Sequence, residues 1–585
     1  MDKLDTDVVT AGDAPKRGFQ DRLLDGIEKA GNKVPHPVIM FLYLILGVAV
    51  LSAILAAFDV SVTESVAVPV PIDEIRDVRD ALGGSVVAYD VITRQEVAIP
   101  EYLVQEQTFE VRSLFAVDGI RFVFSSFVNN FAGFAVVAVT FVAMAGVGVA
   151  EKAGLMAALI RKLVQVAPRN LIAFFLIFVG VLSSVASDAG YLILIPLAAT
   201  AFMTLGKHPL AGMAAAYAGV SAIFAVNVLI TPIDSMLTEI TNEAIGQTGA
   251  EPIDITANLY FSIASSILMA VVAVFVTLRI VEPRLGPYDP SLGDPAYVGV
   301  AGDVDVVDGA TSGRHDPVHH DGADAAAKAE EDALEAKGLR YALYTLVAMV
   351  VGVLLLVLPS GAPLRDPATG AIIGATPFMA SLIFLITLLF LGAGIAYGIG
   401  AKTITSSADV IDGVTKTFAG LAGLVFMLLM ISQFIAYLNY TNMTRVAAVE
   451  LAGVLERAGL GALPLLVAMI VVIIFLNLII PGVVPKWAIF APVFIPIFVR
   501  LGVAPQTVLA AYRVGDSPTN VITPLMVYLP FIVVVAQRYV RTAGIGTIVA
   551  LMLPYVVFIA VAWILLFIAW WVLGIPLGPG SPVAV

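Results

Sequence analysis

The sequence predicts an all-α polytopic membrane protein of about nine transmembrane helices plus two re-entrant helical hairpins, arranged as two inverted repeats. Three observations predict it. First, the chain of 585 residues is 59% apolar and only 13% charged, with a mean hydropathy of +0.96. Second, many apolar runs, such as 38–58 and 341–358, reach the roughly 20 residues a helix needs to cross a ~30 Å hydrocarbon core. Strands alternating apolar and polar residues, the mark of an outer-membrane barrel, are absent. Third, one unusual pattern occurs twice. Residues 196–217 read PLAATAFMTLGKHPLAGMAAAY and 492–512 read PVFIPIFVRLGVAPQTVLAAY. Each opens on Pro, reaches Leu-Gly (Leu205-Gly206, Leu501-Gly502), resumes on Pro (Pro209, Pro505) and closes on Ala-Ala-Tyr. Asn227 to Thr231-Pro232 follows the first copy, and Asn520 to Thr523-Pro524 follows the second. Duplicated hydrophobic segments interrupted by Pro and Gly are the sequence mark of a secondary transporter's midplane site.

The elements follow in order. Residues 1–35 are polar and read as a cytoplasmic segment, with an amphipathic helix over 16–33 and no cleavable signal peptide. The first transmembrane half covers 36–281. It opens with a span at 37–58, then a polar, β-rich loop over 59–120 with turns at Gly83-Gly84 and Pro100. A span at 131–150 and a basic connector at 151–169 come next. Residues 171–204 are too long for one span and are broken by the polar run 183–190, which fits a re-entrant hairpin. Spans at 209–235 and 259–281 complete the half. Residues 282–337 form an acidic loop, low in large apolar residues over 285–336, and read as a disordered cytoplasmic insertion that turns helical near 325–339. The second half, 338–585, holds spans at 338–358, 377–399 and 417–437, a second hairpin at 463–500 broken at Pro481-Gly482 and Pro485-Lys486, and spans at 505–535 and 546–573. Lys and Arg concentrate in the N-terminal segment, the 151–169 connector, the 282–337 loop and Arg538 with Arg541, which puts these on the cytoplasmic side.

Composition narrows the chemistry. The chain has no Cys, which excludes disulfides and thiolate chemistry, and its net charge of −13 does not suggest nucleic acid. Five His, three of them in the acidic loop, leave little for a metal centre. Ionisable groups within spans cost at least ~2.5–3.5 kcal/mol and are functional candidates. The first copy offers Asp188, Asn227, Thr231 and Asp234; the second offers Asn477, Lys486, Trp487, Arg513, Asp516, Ser517, Thr519, Asn520 and Thr523. Arg513 and Asp516 stand three apart, on one face if helical, and are expected to pair. Gly515, Ser517 and Pro518 imply unwinding there. Trp487, beside a helix break, could stack on an aromatic ring or sit in an interfacial belt. Alignment on Pro196 and Pro492 sets Asp188 opposite Val484, so a carboxylate is kept at one hairpin tip only and suits a single ion-coupling group. The amide and hydroxyl oxygens of Asn227 with Thr231 and of Asn520 with Thr523 suit Na⁺ or a polar substrate, or cap the helix breaks. A possible Na⁺ site takes Asn227, Asn477 and Asp516. An intramembrane enzyme would need convergent carboxylates or a metal cluster, so enzyme chemistry is not expected. A channel is compatible with broken helices, but paired hairpins suit alternating access better.

Four stretches resemble the AbgT family, the p-aminobenzoyl-glutamate transporters that include sulfonamide exporters: 31–37 (GNKVPHP), 146–156 (GVGVAEKAGLM), Lys486-Trp487-Ala488 with Ala491-Pro492, and 511–526 (AYRVGDSPTNVITPLM). The resemblance covers nearly the whole chain outside 60–110 and 285–336. It implies a homodimeric bacterial inner-membrane transporter, multi-pass, with nine spans and two hairpins. It places Asp188, Asn477, Trp487, Pro505, Arg513, Asp516 and Pro524 at positions important for transport. The implied function is ion-coupled transport of p-aminobenzoyl-glutamate-type folate catabolites or export of sulfonamide antimetabolites, driven by a proton or Na⁺ gradient and needing no cofactor. The alternative is another aromatic or dicarboxylate-like anion with Na⁺ coupling. One departure stands out. Family members carry Gly-Ser-Ala-Ser-Ala before Lys-Trp, whereas this chain has 481–485 PGVVP, with Val484 where a serine is expected.

Overall fold

The computed structural model describes residues 37–69, 87–89, 96–98, 102–168, 171–186, 190–246, 248–293, 323–373, 376–457, 461–480, 482–523 and 525–584. The expected amphipathic helix at 16–33, the turns at Gly83-Gly84 and Pro100, most of the acidic loop, and the candidate residues Asp188 and Pro524 lie outside them.

Helix α1 (Pro37–Ala57) is an apolar run interrupted by the buried Ser52, which donates to Ala49 O and accepts from Leu114 N–H. Strand β1 (Ser61–Pro69) precedes two short strands, β2 (Val87–Tyr89) and β3 (Glu96–Ala98), which pair with each other. Strand β4 (Tyr102–Glu110) returns antiparallel to β1, from Ser61 opposite Glu110 to Pro69 opposite Tyr102. The expected loop ends earlier than residue 120, because α2 (Val117–Ala132) already begins there and runs into α3 (Ala135–Lys152). Its polar residues disguised it. Asn130 donates to Gln433 Oε1 at 2.9 Å, while Phe124 and Val128 stay exposed.

A single order of elements then occurs twice. In the first copy α2, α3 and a short α4 (Leu155–Gln165) lead to the hairpin arm α5 (Ile172–Ser183). The returning arm is a π-turn (Gly190–Leu194) and α6 (Ile195–Thr204). After it come α7 (Pro209–Tyr217), an unwound stretch opening with the π-turn Ala218–Ala222, α8 (Pro232–Ile245) and α9 (Leu259–Val276). Helices α10 (Ala323–Val357) and α11 (Pro377–Ala401) stand between the copies. The second copy runs α12 (Ser407–Gly420), α13 (Ala422–Thr441), α14 (Met443–Arg457), the arms α15 (Ala462–Leu476) and α16 (Val483–Arg500), then α17 (Pro505–Asp516), the 3₁₀ turn Pro518–Val521, α18 (Leu529–Tyr539) and α19 (Ile545–Val572).

The expected spans at 209–235 and 505–535 are broken helices, with the unwinding expected at 515–518 matched by an equivalent break at 218–231. Each starts on a proline at its first position, where the missing N–H costs nothing. Gly206 and Gly502, with φ of 71° and 75°, make the matching turns that feed them. Among the described residues eight helices are long and apolar enough to cross a membrane. One of these is the hairpin arm Val483–Arg500; with the two broken segments counted instead, the crossings agree with the nine expected. Arm α5, at 12 residues, reaches only ~18 Å at ~1.5 Å per residue and cannot cross.

Loop contacts sort the connections onto two faces. On one, Lys152 pairs with Asp412, Arg161 with Glu335 at 2.5 Å and Lys207 with Glu282 at 2.9 Å, and the Arg541 N–H donates to Leu292 O. This face holds both ends of the first hairpin. On the other, Asn442 donates to Glu110 O and Asn258 to Gln506 O. There the tail beyond α19 crosses both repeats. Leu577 O accepts from the N–H groups of Tyr260 and Phe261 at the start of α9, and Val583 O accepts from Ala504 N–H and Thr507 Oγ1 at the start of α17. The second hairpin is rooted on this face, so the repeats are inverted.

Candidate functional site

The two unwound stretches cross at the centre of the molecule, and polar side chains join them. Arg513, at the end of α17, is buried at 2% exposure, and its Nη1 donates to Ala225 O at 2.8 Å and to Asp234 Oδ1 at 2.6 Å. Asp234 is the third residue of α8 and closes a capping box with Thr231, whose N–H and hydroxyl both donate to Asp234 Oδ2 at 2.7 Å. One carboxylate thus caps the second half of one broken helix and grips the end of the other. Ala225 N–H donates to Ser517 Oγ at 2.9 Å, and Asn520 donates to Ser221 O at 3.4 Å. Close approach is built in. A Cβ on Gly219 would lie 2.3 Å from Ile177 O, and one on Gly515 would lie 2.7 Å from Ile473 Cβ, so each stretch presses on its own hairpin's first arm.

The expected Arg513–Asp516 pair is not formed. Arg513 is taken by Asp234 of the first repeat, whereas Asp516 pairs with Lys486 Nζ at 2.6 Å, both ends buried. Lys486 also donates to Asn477 Oδ1. Asn477 in turn donates to Thr519 Oγ1 at 3.0 Å and Asn520 Oδ1 at 2.8 Å. Helical spacing of three made the Arg–Asp pairing reasonable, but burial left both charges closer to partners on other elements. Pairing a fully buried charge is obligatory, since an unpaired one costs several kcal/mol.

Asn227 lies apart from this group. Its amide donates to Val181 O and Ser184 Oγ of the first hairpin, and its Oδ1 accepts from Leu229 N–H. The three residues expected to share a Na⁺ therefore fall into two hydrogen-bond groups. The meeting point of Asn477 and Asp516 is filled by the Lys486 ammonium, which stands in for a bound cation. Thr523 donates to Leu478 O at 3.3 Å, and Pro505 opens α17. Trp487 is fully buried, so it belongs to no interfacial belt. Its ring is 4.6 Å from Tyr512, and its Nε1 donates to Thr241 Oγ1 on α8 at 2.9 Å.

The hairpin register gives each of these a counterpart. Trp487 falls on Tyr191, whose ring is 6.4 Å from Tyr217 and stacks at 4.4 Å on Tyr528. Lys486 falls on Gly190, and Asp516, four after Tyr512, falls on Ser221, four after Tyr217. The ion pair of the second repeat is neutral in the first. Four of the five buried side-chain atoms without a partner among the described residues fall here, on Tyr217 Oη, Ser221 Oγ, Arg513 Nε and Asp516 Oδ2; the fifth is Asn258 Oδ1. Reasoning from sequence named Asp234 and Lys486 but missed their partnerships; it also missed Tyr512, which donates to Val483 O at 2.5 Å and lies 3.1 Å from Asp516.

The family model described as "AbgT putative transporter family" matches residues 22–298 and 312–585. The chain belongs to the AbgT family. It is 30% identical over 567 residues to the p-aminobenzoyl-glutamate transport protein of Escherichia coli (strain K12), covering 97% of this chain and 98% of that protein. The solved YdaH transporter of Alcanivorax borkumensis, described as having an unusual topology, is similar with a TM-score of 0.75 and 33% identity over 93% of this chain and 100% of its own. MtrF of Neisseria gonorrhoeae, described as illuminating a class of antimetabolite efflux pumps, reaches a TM-score of 0.78 at 34% identity over 96% and 100%. The AbgT relatives are transporters and efflux pumps, and this chain is a multi-pass membrane transporter, not an enzyme. Its departure from the AbgT pattern at Val484 sits at the start of α16, buried at 7% exposure beside the Lys486–Asp516 pair.

Proposed function

We propose that this AbgT member is an ion-coupled secondary transporter of the bacterial cytoplasmic membrane, moving p-aminobenzoyl-glutamate-type folate catabolites and sulfonamide antimetabolites. The observation that carries the reading is the Arg513–Asp234 pair, which ties the unwound centres of two inverted repeats together. A carboxylate or sulfonyl oxygen of the substrate competes with Asp234 for the guanidinium, whose Nε is free to add a second bond. Taking Arg513 from Asp234 loosens the crossing, and the repeats rock between faces. Asp188 and the Lys486–Asp516 pair couple the motion to a proton or Na⁺ gradient, with Asn227, Thr231, Asn477, Asn520 and Thr523 as the polar support around them. The face that holds Lys152, Arg161, Lys207 and Arg541 is cytoplasmic by its excess of basic residues, and so is the N-terminal segment 1–35. The protein works as a homodimer, for which α10, with exposed Tyr344, Val347 and Leu355, offers an unpartnered apolar face.

The test is flux of radiolabelled p-aminobenzoyl-glutamate and of a sulfonamide in proteoliposomes, with H⁺ and Na⁺ gradients imposed separately. Saturable flux that follows one gradient supports the reading and gives its direction. Absence of flux of both compounds under both gradients overturns the substrate class. Asp188→Asn is expected to remove the dependence on the pH gradient, and retained proton-driven flux in that variant excludes Asp188 as the coupling group.

A further inference from the structure

Beyond the crossing point, a cavity of about 610 Å³ opens on the face where the second hairpin is rooted, between α8, the segment before α9, and the start of α11. Its volume lies within the ~300–1,000 Å³ of small-molecule sites. It descends along α8 as far as Ser235, in the first turn of that helix. One wall is apolar, made by Ile253, Pro377 and Ile383; the other presents the hydroxyls of Ser235 and Thr238 and the carboxylate of Glu239.

The charges there are of one sign. Three carboxylates line the cavity, and no lysine or arginine does. Two of them are spent locally. Asp254 Oδ1 accepts from Thr256 N–H and hydroxyl, and Asp366 Oδ1 accepts from Ala368 and Thr369. Glu239 has no hydrogen bond or ion pair among the described residues, although it is half-buried. Glu243, one turn on, adds a like charge on the same face of α8 rather than a partner. The adjacent basic residue, Arg365, is held on the carbonyls of Val357, Leu358 and Gly370 and points its donors at them. A half-buried carboxylate with no counter-charge repels anions and favours a cationic donor.

We propose that this cavity is a second binding site, for a compact aromatic or aliphatic body carrying an amine or amidine-type cation, with Glu239 as its anchor. The amphipathic walls take the apolar body, and the Ser235 and Thr238 hydroxyls accept or donate beside the charged group. The site rests on the cavity itself and not on the substrates named above.

A matched pair of probes tests it: p-aminobenzamidine, a cation, and p-aminobenzoate, an anion of the same ring and nearly the same size. Binding to the purified full-length chain is measured by titration calorimetry at low salt. The amidine is expected to bind at least about tenfold more tightly than the benzoate, and Glu239→Gln to remove about tenfold of that affinity, the share of a charge-assisted bond. Ile383→Trp, which fills the apolar wall, is expected to abolish amidine binding in a protein that stays monodisperse. Equal affinity for the two probes, or unchanged amidine affinity in Glu239→Gln, overturns the proposal. Amidine binding that depends on Glu239 in a protein lacking p-aminobenzoyl-glutamate flux would uphold this site while the transport substrate fails; flux without amidine binding does the reverse.

Discussion

At the scale of single residues the site is a set of charges that have changed partners. Arg513 and Asp234 join the repeats, and Lys486 and Asp516 join the second hairpin to the second broken helix. Arg513→Ala leaves Asp234 without its partner, a loss of about 3–5 kcal/mol if the site stays dry, and flux should vanish. The double variant Arg513→Ala with Asp234→Asn, which removes the stranded charge but keeps a side-chain oxygen for the Thr231 cap, should recover thermal stability but not flux. Recovered flux would mean that the pair is only a lock. Lys486→Met removes the resident ammonium and frees Asn477 Oδ1 and Asp516 Oδ1. That variant should gain a rise in melting temperature when Na⁺ replaces choline, by linkage of ion binding to folding, while the parent responds less. No difference between the two proteins would mean that these oxygens hold no cation. Val484→Ser adds a hydroxyl at the tip, worth on the order of 0.5–1.5 kcal/mol as a neutral hydrogen bond. It should shift preference toward p-aminobenzoyl-glutamate over less polar aromatic amides by roughly tenfold or less. Competition binding reads that ratio, and an unchanged ratio would take position 484 out of contact with substrate.

At the scale of elements, much of the fold was legible because apolar runs and prolines are blunt signals. Pro209, Pro377 and Pro505 each mark the start of a helix, and the Leu-Gly turns at 205–206 and 501–502 revealed the repeat. The signal faded where packing, not composition, decided. Helix α2 was hidden by Asn129, Asn130, Ser125 and Ser126, of which Asn130 donates to Gln433 and to Ser126. The partners of Arg513 were hidden too, because they lie on another element and spacing reports only local neighbours. Gly515 shows how tightly these elements meet. A methyl there would also lie 2.8 Å from Ile470 O, so Gly515→Ala must push α15 from α17 and should lower flux by more than tenfold with expression and monodispersity intact. Gly423, inside α13 with nothing within 4 Å, is the control. Gly423→Ala should leave flux unchanged and stabilise by about 0.5–1 kcal/mol through helix propensity. Equal effects of the two would remove close packing as the cause.

At the scale of the whole molecule, the repeat is longer than the motifs that disclosed it. Residues 117–281 and 407–572 follow one order of helices, and the opposite rooting of their hairpins makes them inverted. Sidedness is testable with little interference, since the chain has no cysteine. Lys402→Cys and Pro579→Cys should react with a membrane-impermeant maleimide from opposite sides, and labelling of both from one side would contradict the two-face assignment. The tail at 577–583 carries a further meaning, in the order in which the chain is made. Its carbonyls complete the N-terminal caps of α9 and α17, yet it is translated after both repeats. The first repeat is therefore made with two backbone amides of α9 left to water until the tail that accepts from them exists. Insertion can be sequential, but the closing of this face is a single late event that seals both halves together.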